Sequence, residues 1–178
     1  MKKFVLLLTV LRIFAGPLLF LSIIILDANF LALCIFVVAS ISDFLDGFLA
    51  RSFNVESSLG AILDPIADKI LVLFALFTIT VITKDPFIGG IAALILSREF
   101  WVSALREFAA SNSLSDLTKV TFLAKIKTSV QFISITMFFL GFWSGNALVI
   151  FLASFMLFLA ALISIKTAID YSNKIFNL

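Results

Sequence analysis

Polar and apolar residues do not alternate along this chain; they come in blocks. Six apolar stretches, at residues 4–26, 29–51, 59–83, 87–110, 122–143 and 146–170, are divided by short polar breaks. The breaks fall at Asp27-Ala28-Asn29, 52–58, Lys84-Asp85-Pro86, 111–119 and Ser144-Gly145-Asn146, rich in the residues that punctuate turns. Each stretch has about the 20 residues that a helix needs to cross a hydrocarbon core of roughly 30 Å. The pattern predicts an all-α, polytopic membrane protein built as a bundle of six transmembrane helices. With no internal repeat, low-complexity linker or second pattern, it also predicts one domain over residues 1–178.

Composition sharpens this. Hydrophobic residues make up 62% of the 178 positions, 22 of them phenylalanine, and mean hydropathy is +1.22, which excludes an ordinary soluble domain. Met1-Lys2-Lys3 before an apolar run resembles a secretory leader. However, Arg12 interrupts the run and no small-residue cleavage pattern follows before Asp27, so a retained first membrane helix is expected. If Lys2 and Lys3 mark the cytoplasmic side of a cell membrane, the turns at 52–58 and 111–119 and both termini are cytoplasmic too. Of the Lys and Arg residues, only Lys84 then falls at an outer turn. The tail from Lys166 on reads as an interfacial helix end with only an anchoring role.

A net charge of +2, with basic residues dispersed, gives no nucleic-acid partner. The single cysteine, Cys34, is read as a small buried hydrophobe. Histidine is absent, so acid–base chemistry falls to Asp, Glu, Lys, Arg or Tyr. Any metal site falls to oxygen ligands, hence to a hard ion such as Mg²⁺ or Mn²⁺.

Against this background the acidic residues are concentrated. Four of the chain's eight aspartates lie in residues 42–69, in the pattern Asp43-x2-Asp46-Gly47-x2-Ala50-Arg51-x8-Gly60-x3-Asp64-x3-Asp68. Asp43 and Asp46 share a face near the end of the second helix, and Gly47 and Ala50 extend that face without bulk. Gly60, Asp64 and Asp68, at i, i+4 and i+8, share a face at the start of the third, which returns from the same turn. Four neighbouring carboxylates resist ionising together unless cations join them. A two-ion site would use that set to polarise a phosphoryl group. Two other readings stay open: solvated helix-end aspartates paired with Arg51 and Lys69, and a carboxylate-lined ion or proton pathway. The almost purely apolar outer halves of the helices speak against the pathway.

These eight positions resemble the signature of the CDP-alcohol phosphatidyltransferases, and all eight match. A chance match at a given start is on the order of 10⁻¹⁰. The resemblance implies six membrane helices with the motif spanning the second and third. It also implies transfer of a phosphatidyl group from CDP-diacylglycerol to an alcohol, with release of CMP. Carried over by position, Asp43, Asp46 and Asp64 are implied as metal ligands. Asp68 is implied as the base that takes the acceptor's proton, and as a contact of the second ion. Gly47, Ala50, Arg51 and Gly60 are implied as the nucleotide cradle. Relatives of this fold are commonly dimers, and the Phe-rich outer faces leave a second copy and lipid both open as their cover.

For the acceptor, Ser97-Arg98-Glu99, the Ala-Leu-Arg-Glu run ending at Arg106-Glu107 and the Lys-x-Lys-Thr-x-x-Gln segment at 125–131 put cations in or beside membrane helices. Arg98 and Arg106 are about 80° apart in projection, so both can lean toward one groove. These segments resemble the phosphatidylglycerophosphate synthase branch, whose acceptor is glycerol 3-phosphate. The resemblance implies Arg98, Arg106, Lys125 and Lys127 as acceptor-phosphate residues. Internal charge compensation of Arg98 and Glu99, with Arg98 paired to a motif Asp, and a lipid-facing anchor of Lys125 and Lys127 remain alternatives, as do phosphatidylglycerol (in a cardiolipin synthase), inositol phosphate and serine as acceptors. Thr9 and Arg12 match a Thr-x-x-Arg of relatives, whereas Leu7 stands where relatives often have Asn.

Overall fold

A computed structural model of the chain describes the backbone of residues 2–52, 58–114 and 121–176, with the side chains of 2–5, 44–52, 58 and 61 outside the description. Six helices follow in order: α1 (Lys2–Ile24), α2 (Asn29–Ser52), α3 (Ser58–Thr83), α4 (Pro86–Ser111), α5 (Phe122–Ser144) and α6 (Ala147–Phe176).

Two of the breaks between them, at 84–86 and 144–146, are capped by the polar residues that mark them in the sequence, and Thr121, just past a third, caps α5. Before α4, the Asp85 carboxylate accepts the Phe87 N–H at 2.8 Å, and Pro86 takes the first helical position, where a missing N–H costs nothing. Before α5, the Thr121 hydroxyl accepts the Ala124 N–H at 3.2 Å. That helix stops at Gly145, whose φ of 66° is the left-handed conformation glycine adopts freely. Asn146 then accepts the Leu148 N–H at 3.0 Å and opens α6. This last helix continues past the apolar span to Phe176.

Among the described residues, five stretches are long and apolar enough to cross a membrane: Leu6–Ile24, Ile62–Thr83, Pro86–Ser111, Phe122–Ser144 and Ala147–Phe176. In α2 the described apolar portion is Asn29–Asp43. The chain is an all-α, multi-pass membrane protein. Large side chains such as Phe14, Leu18, Phe77, Phe155 and Phe158 stay exposed, as expected where lipid rather than water is the neighbour.

α1 lies between α2 and α3 and packs on each more extensively than they pack on one another. α5 runs along α6 and α2, and α4 packs on α6 and α3. Leu19, Phe36, Leu71, Ile95, Phe138 and Leu157, one from each helix, are fully buried between them. Phe36 packs on Phe132 and Phe139 with ring centroids 5.7 Å away in both pairs.

The approach of α1 to α3 depends on Gly16. A Cβ there would lie 3.2 Å from the Ile70 carbonyl oxygen and 3.1 Å from Phe74 Cδ2. Gly16→Val should therefore cost about 1–3 kcal/mol by overpacking. The check is the thermal unfolding midpoint in detergent, and an unchanged midpoint would mean that the two helices can part without loss.

Candidate active site

The polar side chains that α1, α2 and α3 bring together all lie at one end of the molecule: early in α1, late in α2, early in α3. The Thr9 hydroxyl donates to Asp64 Oδ1 at 2.7 Å. One turn along, Arg12 Nη1 reaches Asp43 Oδ1 at 2.8 Å and Asp68 Oδ1 at 3.0 Å. A single guanidinium nitrogen thus joins carboxylates from two helices. Arg12 is only 1% exposed, whereas both aspartate side chains are 40% exposed. The cation comes from inside the bundle, and the carboxylates stand at the opening.

Gly60 is buried at the start of α3. Asp46, Gly47, Ala50 and Arg51 fall on α2, but their side chains lie outside the described residues. Among the described residues no group of three or more acidic side chains is gathered closely enough to hold a metal ion. Those present are hard oxygen donors, and two of them already meet around one positive charge. That chemistry fits a divalent cation of the Mg²⁺ or Mn²⁺ type, with Asp43 and Asp68 both on the cavity lining.

Asp43 and Asp68 form one wall of a cavity of about 520 Å³. Lys69, Glu99, Arg106 and Lys127 add charge to its lining, and apolar side chains such as Leu73, Leu96 and Phe132 line the rest. A cavity with a charged part and an apolar part suits a ligand with a charged head and a hydrocarbon body.

Of the four cations singled out in the sequence, two line this cavity and two do not. Arg98 is buried and turned to α6: Nε donates to the Ser164 carbonyl at 3.0 Å and Nη2 to the Thr167 hydroxyl at 2.7 Å. Its Nη1 pairs with Glu99 at 3.2 Å. Lys125 is exposed and outside the lining. Lys127 is buried and donates to Glu99, which Arg98 also holds. Arg106 makes no carboxylate contact among the described residues; its guanidinium carbon lies 5.5 Å from the centroid of the Tyr171 ring.

Glu99 entered the sequence reading only as the neighbour of Arg98, and Tyr171 was not singled out. For Glu99 a signal existed, because a carboxylate inside a membrane-crossing helix is costly and usually partnered. For Tyr171 none did, since its partners are 50 and 65 residues away in the chain, at Thr121 and Arg106.

The helices and the polar end together define a multi-pass membrane protein with a carboxylate-walled, cation-lined cavity. The sequence profile of CDP-alcohol phosphatidyltransferases matches residues 6–166, and the chain belongs to that family. Members of the family work with a divalent metal.

Among similar proteins, one from Cereibacter sphaeroides is 46% identical over 138 residues, which are 75% of this chain and 62% of that protein. One from Rickettsia bellii is 40% identical over 167 residues, 92% of this chain and 90% of its own length. One from Wigglesworthia glossinidia brevipalpis is 32% identical over 145 residues, 82% and 78% of the two lengths. All three bear the name CDP-diacylglycerol–glycerol-3-phosphate 3-phosphatidyltransferase.

Proposed function

We propose that this chain transfers the phosphatidyl group of CDP-diacylglycerol to glycerol 3-phosphate, giving phosphatidylglycerophosphate and CMP, as its relatives' names describe for them. The observation that carries this reading is the single cavity in which Asp68 and Asp43 meet Arg106 and Lys127. A base and an anion-binding pair in one space suit an acceptor that carries both a hydroxyl and a phosphate. Arg106 suits that phosphate best, since Lys127 is already shared with Glu99. Arg98 and Lys125 are given supporting parts: the first ties α4 to α6, the second adds positive charge near the start of α5.

The acceptor hydroxyl attacks the phosphorus that carries diacylglycerol. The new P–O bond forms as the bond to CMP breaks, the hydroxyl proton passes to the Asp68 carboxylate, and CMP leaves with the electron pair. Asp43, Asp46, Asp64 and Asp68 would hold two ions, Mg²⁺ or Mn²⁺. When bound, these supply Lewis-acid polarisation of the diphosphate and neutralise charge on the leaving CMP. Thr9 and Arg12 orient three of those carboxylates from α1. Gly47, Ala50 and Gly60 leave room for the nucleotide, and Arg51 suits its phosphate or cytidine end.

The whole chain is one domain of six membrane-crossing helices, with α2 completed by the segment beyond Asp43. Both termini and the site face the cytoplasm, because Lys and Arg concentrate in the turns on that side. The exposed apolar faces meet lipid, with a second copy as the other occupant they suit.

The test is CMP release by the purified protein in detergent with CDP-diacylglycerol and Mg²⁺ or Mn²⁺, across glycerol 3-phosphate, serine, inositol phosphate and phosphatidylglycerol. Metal-dependent release with glycerol 3-phosphate alone is expected. Release with a different alcohol would keep the chemistry and replace the acceptor, and ion flux in proteoliposomes without CMP release would replace the class.

A further inference from the structure

The last turns of α6 contribute no residue to the cavity lining, yet through Tyr171 they contact Arg106, which lines it. Tyr171 and Ile175 are buried against Val102, Leu105 and Ala109 of α4. Four residues before Tyr171, Thr167 accepts from Arg98, and Ser172 accepts from Trp101 Nε1 at 2.9 Å. These contacts fix α6 along the half of α4 that ends with Arg106.

Tyr171 itself is 1% exposed, with contacts to both α5 and Arg106. Its hydroxyl oxygen accepts the Thr121 N–H at 3.3 Å, and Thr121 is the residue that caps α5. Its ring lies against the exposed Arg106, at a separation within the range for cation–π attraction. An exposed arginine samples many rotamers, and each wrong one must be given up when a phosphate binds. A ring fixed beneath the guanidinium removes that freedom beforehand, and removal of ordering cost is what raises affinity for a ligand that uses the group.

We infer that Tyr171 is a positioning residue for the acceptor site, holding Arg106 in the cavity so that it meets the acceptor's phosphate. The inference rests on the function proposed above and specifies which residue prepares its anion-binding arginine. The Thr121 hydrogen bond serves to hold the ring in place. A tyrosine that merely filled the core would affect stability and both substrates alike.

The experiment is CMP release by the purified full chain, with glycerol 3-phosphate and CDP-diacylglycerol varied separately, in Tyr171→Phe, Tyr171→Leu, Arg106→Ala and Arg106→Ala with Tyr171→Leu. Tyr171→Phe keeps the ring and loses the hydroxyl that both Thr121 and Arg106 reach, and should raise the KM for glycerol 3-phosphate about threefold, the scale of one hydrogen bond. Tyr171→Leu loses the aromatic face and should raise it about tenfold. Arg106→Ala should raise it at least as far, and Tyr171→Leu should then add nothing, because its effect runs through Arg106.

In the Tyr171 variants that keep Arg106, kcat and the KM for CDP-diacylglycerol should stay near wild type. An unchanged acceptor KM, an equal change in both KM values, or full additivity with Arg106→Ala would overturn the inference. If Tyr171→Leu does not yield folded protein, Tyr171→Phe alone and combined with Arg106→Ala decides by the same criteria. A wild-type protein that releases no CMP with glycerol 3-phosphate would remove the proposed function and this inference together. A wild type that does, with flat variants, removes the inference alone.

Discussion

Replacing Asp68 by Asn should lower turnover by about 10²–10⁴-fold, the usual worth of a general base, in a protein that still folds and still binds nucleotide. The substitution keeps the shape of the side chain. An amide oxygen can still accept from Arg12 Nη1, which lies 3.0 Å from Asp68 Oδ1, so the tie between α1 and α3 survives. What disappears is an oxygen that can take a proton at neutral pH. The acceptor's hydroxyl proton then loses its proposed destination, and Glu99, engaged by Lys127 and Arg98, does not replace it. Single-turnover CMP release measures the loss, and equilibrium binding of CDP with divalent metal separates it from a binding defect. Turnover within a few-fold of wild type would end the assignment of Asp68 as base. Loss of CDP binding in step with turnover would make it a ligand only.

The bundle was largely legible in the sequence because the helices are long and apolar and several are bounded by local caps. The turn residues at Asp85-Pro86, Thr121 and Gly145 are local signals, and each acts within a few residues of itself. Spacing along a helix also fixes which of the motif aspartates can share a face. What spacing could not provide was the partner across the bundle. Thr9 and Arg12 are visible as a same-face pair, but their partners at Asp43, Asp64 and Asp68 depend on α1 lying between α2 and α3.

The arginines of α4 show the same limit at finer scale. Arg98 and Arg106 differ by about 80° around the helix, and projection alone allows both to face one groove. In the folded chain that angle decides between neighbours: Arg98 meets Ser164 and Thr167 of α6, and Arg106 meets the cavity and Tyr171. The α6 tail was read as an anchor because nothing local marks it otherwise. Its buried contacts with α4 and Thr121 are long-range and arise only once the helices are packed.

Removing the charge of Arg12 should cost about 3 kcal/mol of stability when divalent metal is absent, near the low end for breaking a buried ion pair. Arg12→Met is the suitable change, because methionine fills much of the same space and isolates the loss of charge from the loss of packing. The two aspartates are 40% exposed, so water and salt can take over part of their stabilisation, which keeps the cost at that lower end. They would nonetheless face each other at one end of a membrane bundle with their shared cation gone. A divalent ion brings positive charge back to the same carboxylates. Adding Mg²⁺ or Mn²⁺ should therefore raise the unfolding midpoint of Arg12→Met more than that of the wild type, which has its own internal cation. The measurement is thermal unfolding in detergent with metal and with EDTA for both proteins. Equal midpoints in EDTA would mean that Arg12 does not hold the site together. A metal response no larger than wild type would mean that the ions do not bind the carboxylates Arg12 joins, and the proposed division of labour among Asp43, Asp64 and Asp68 would fall with it.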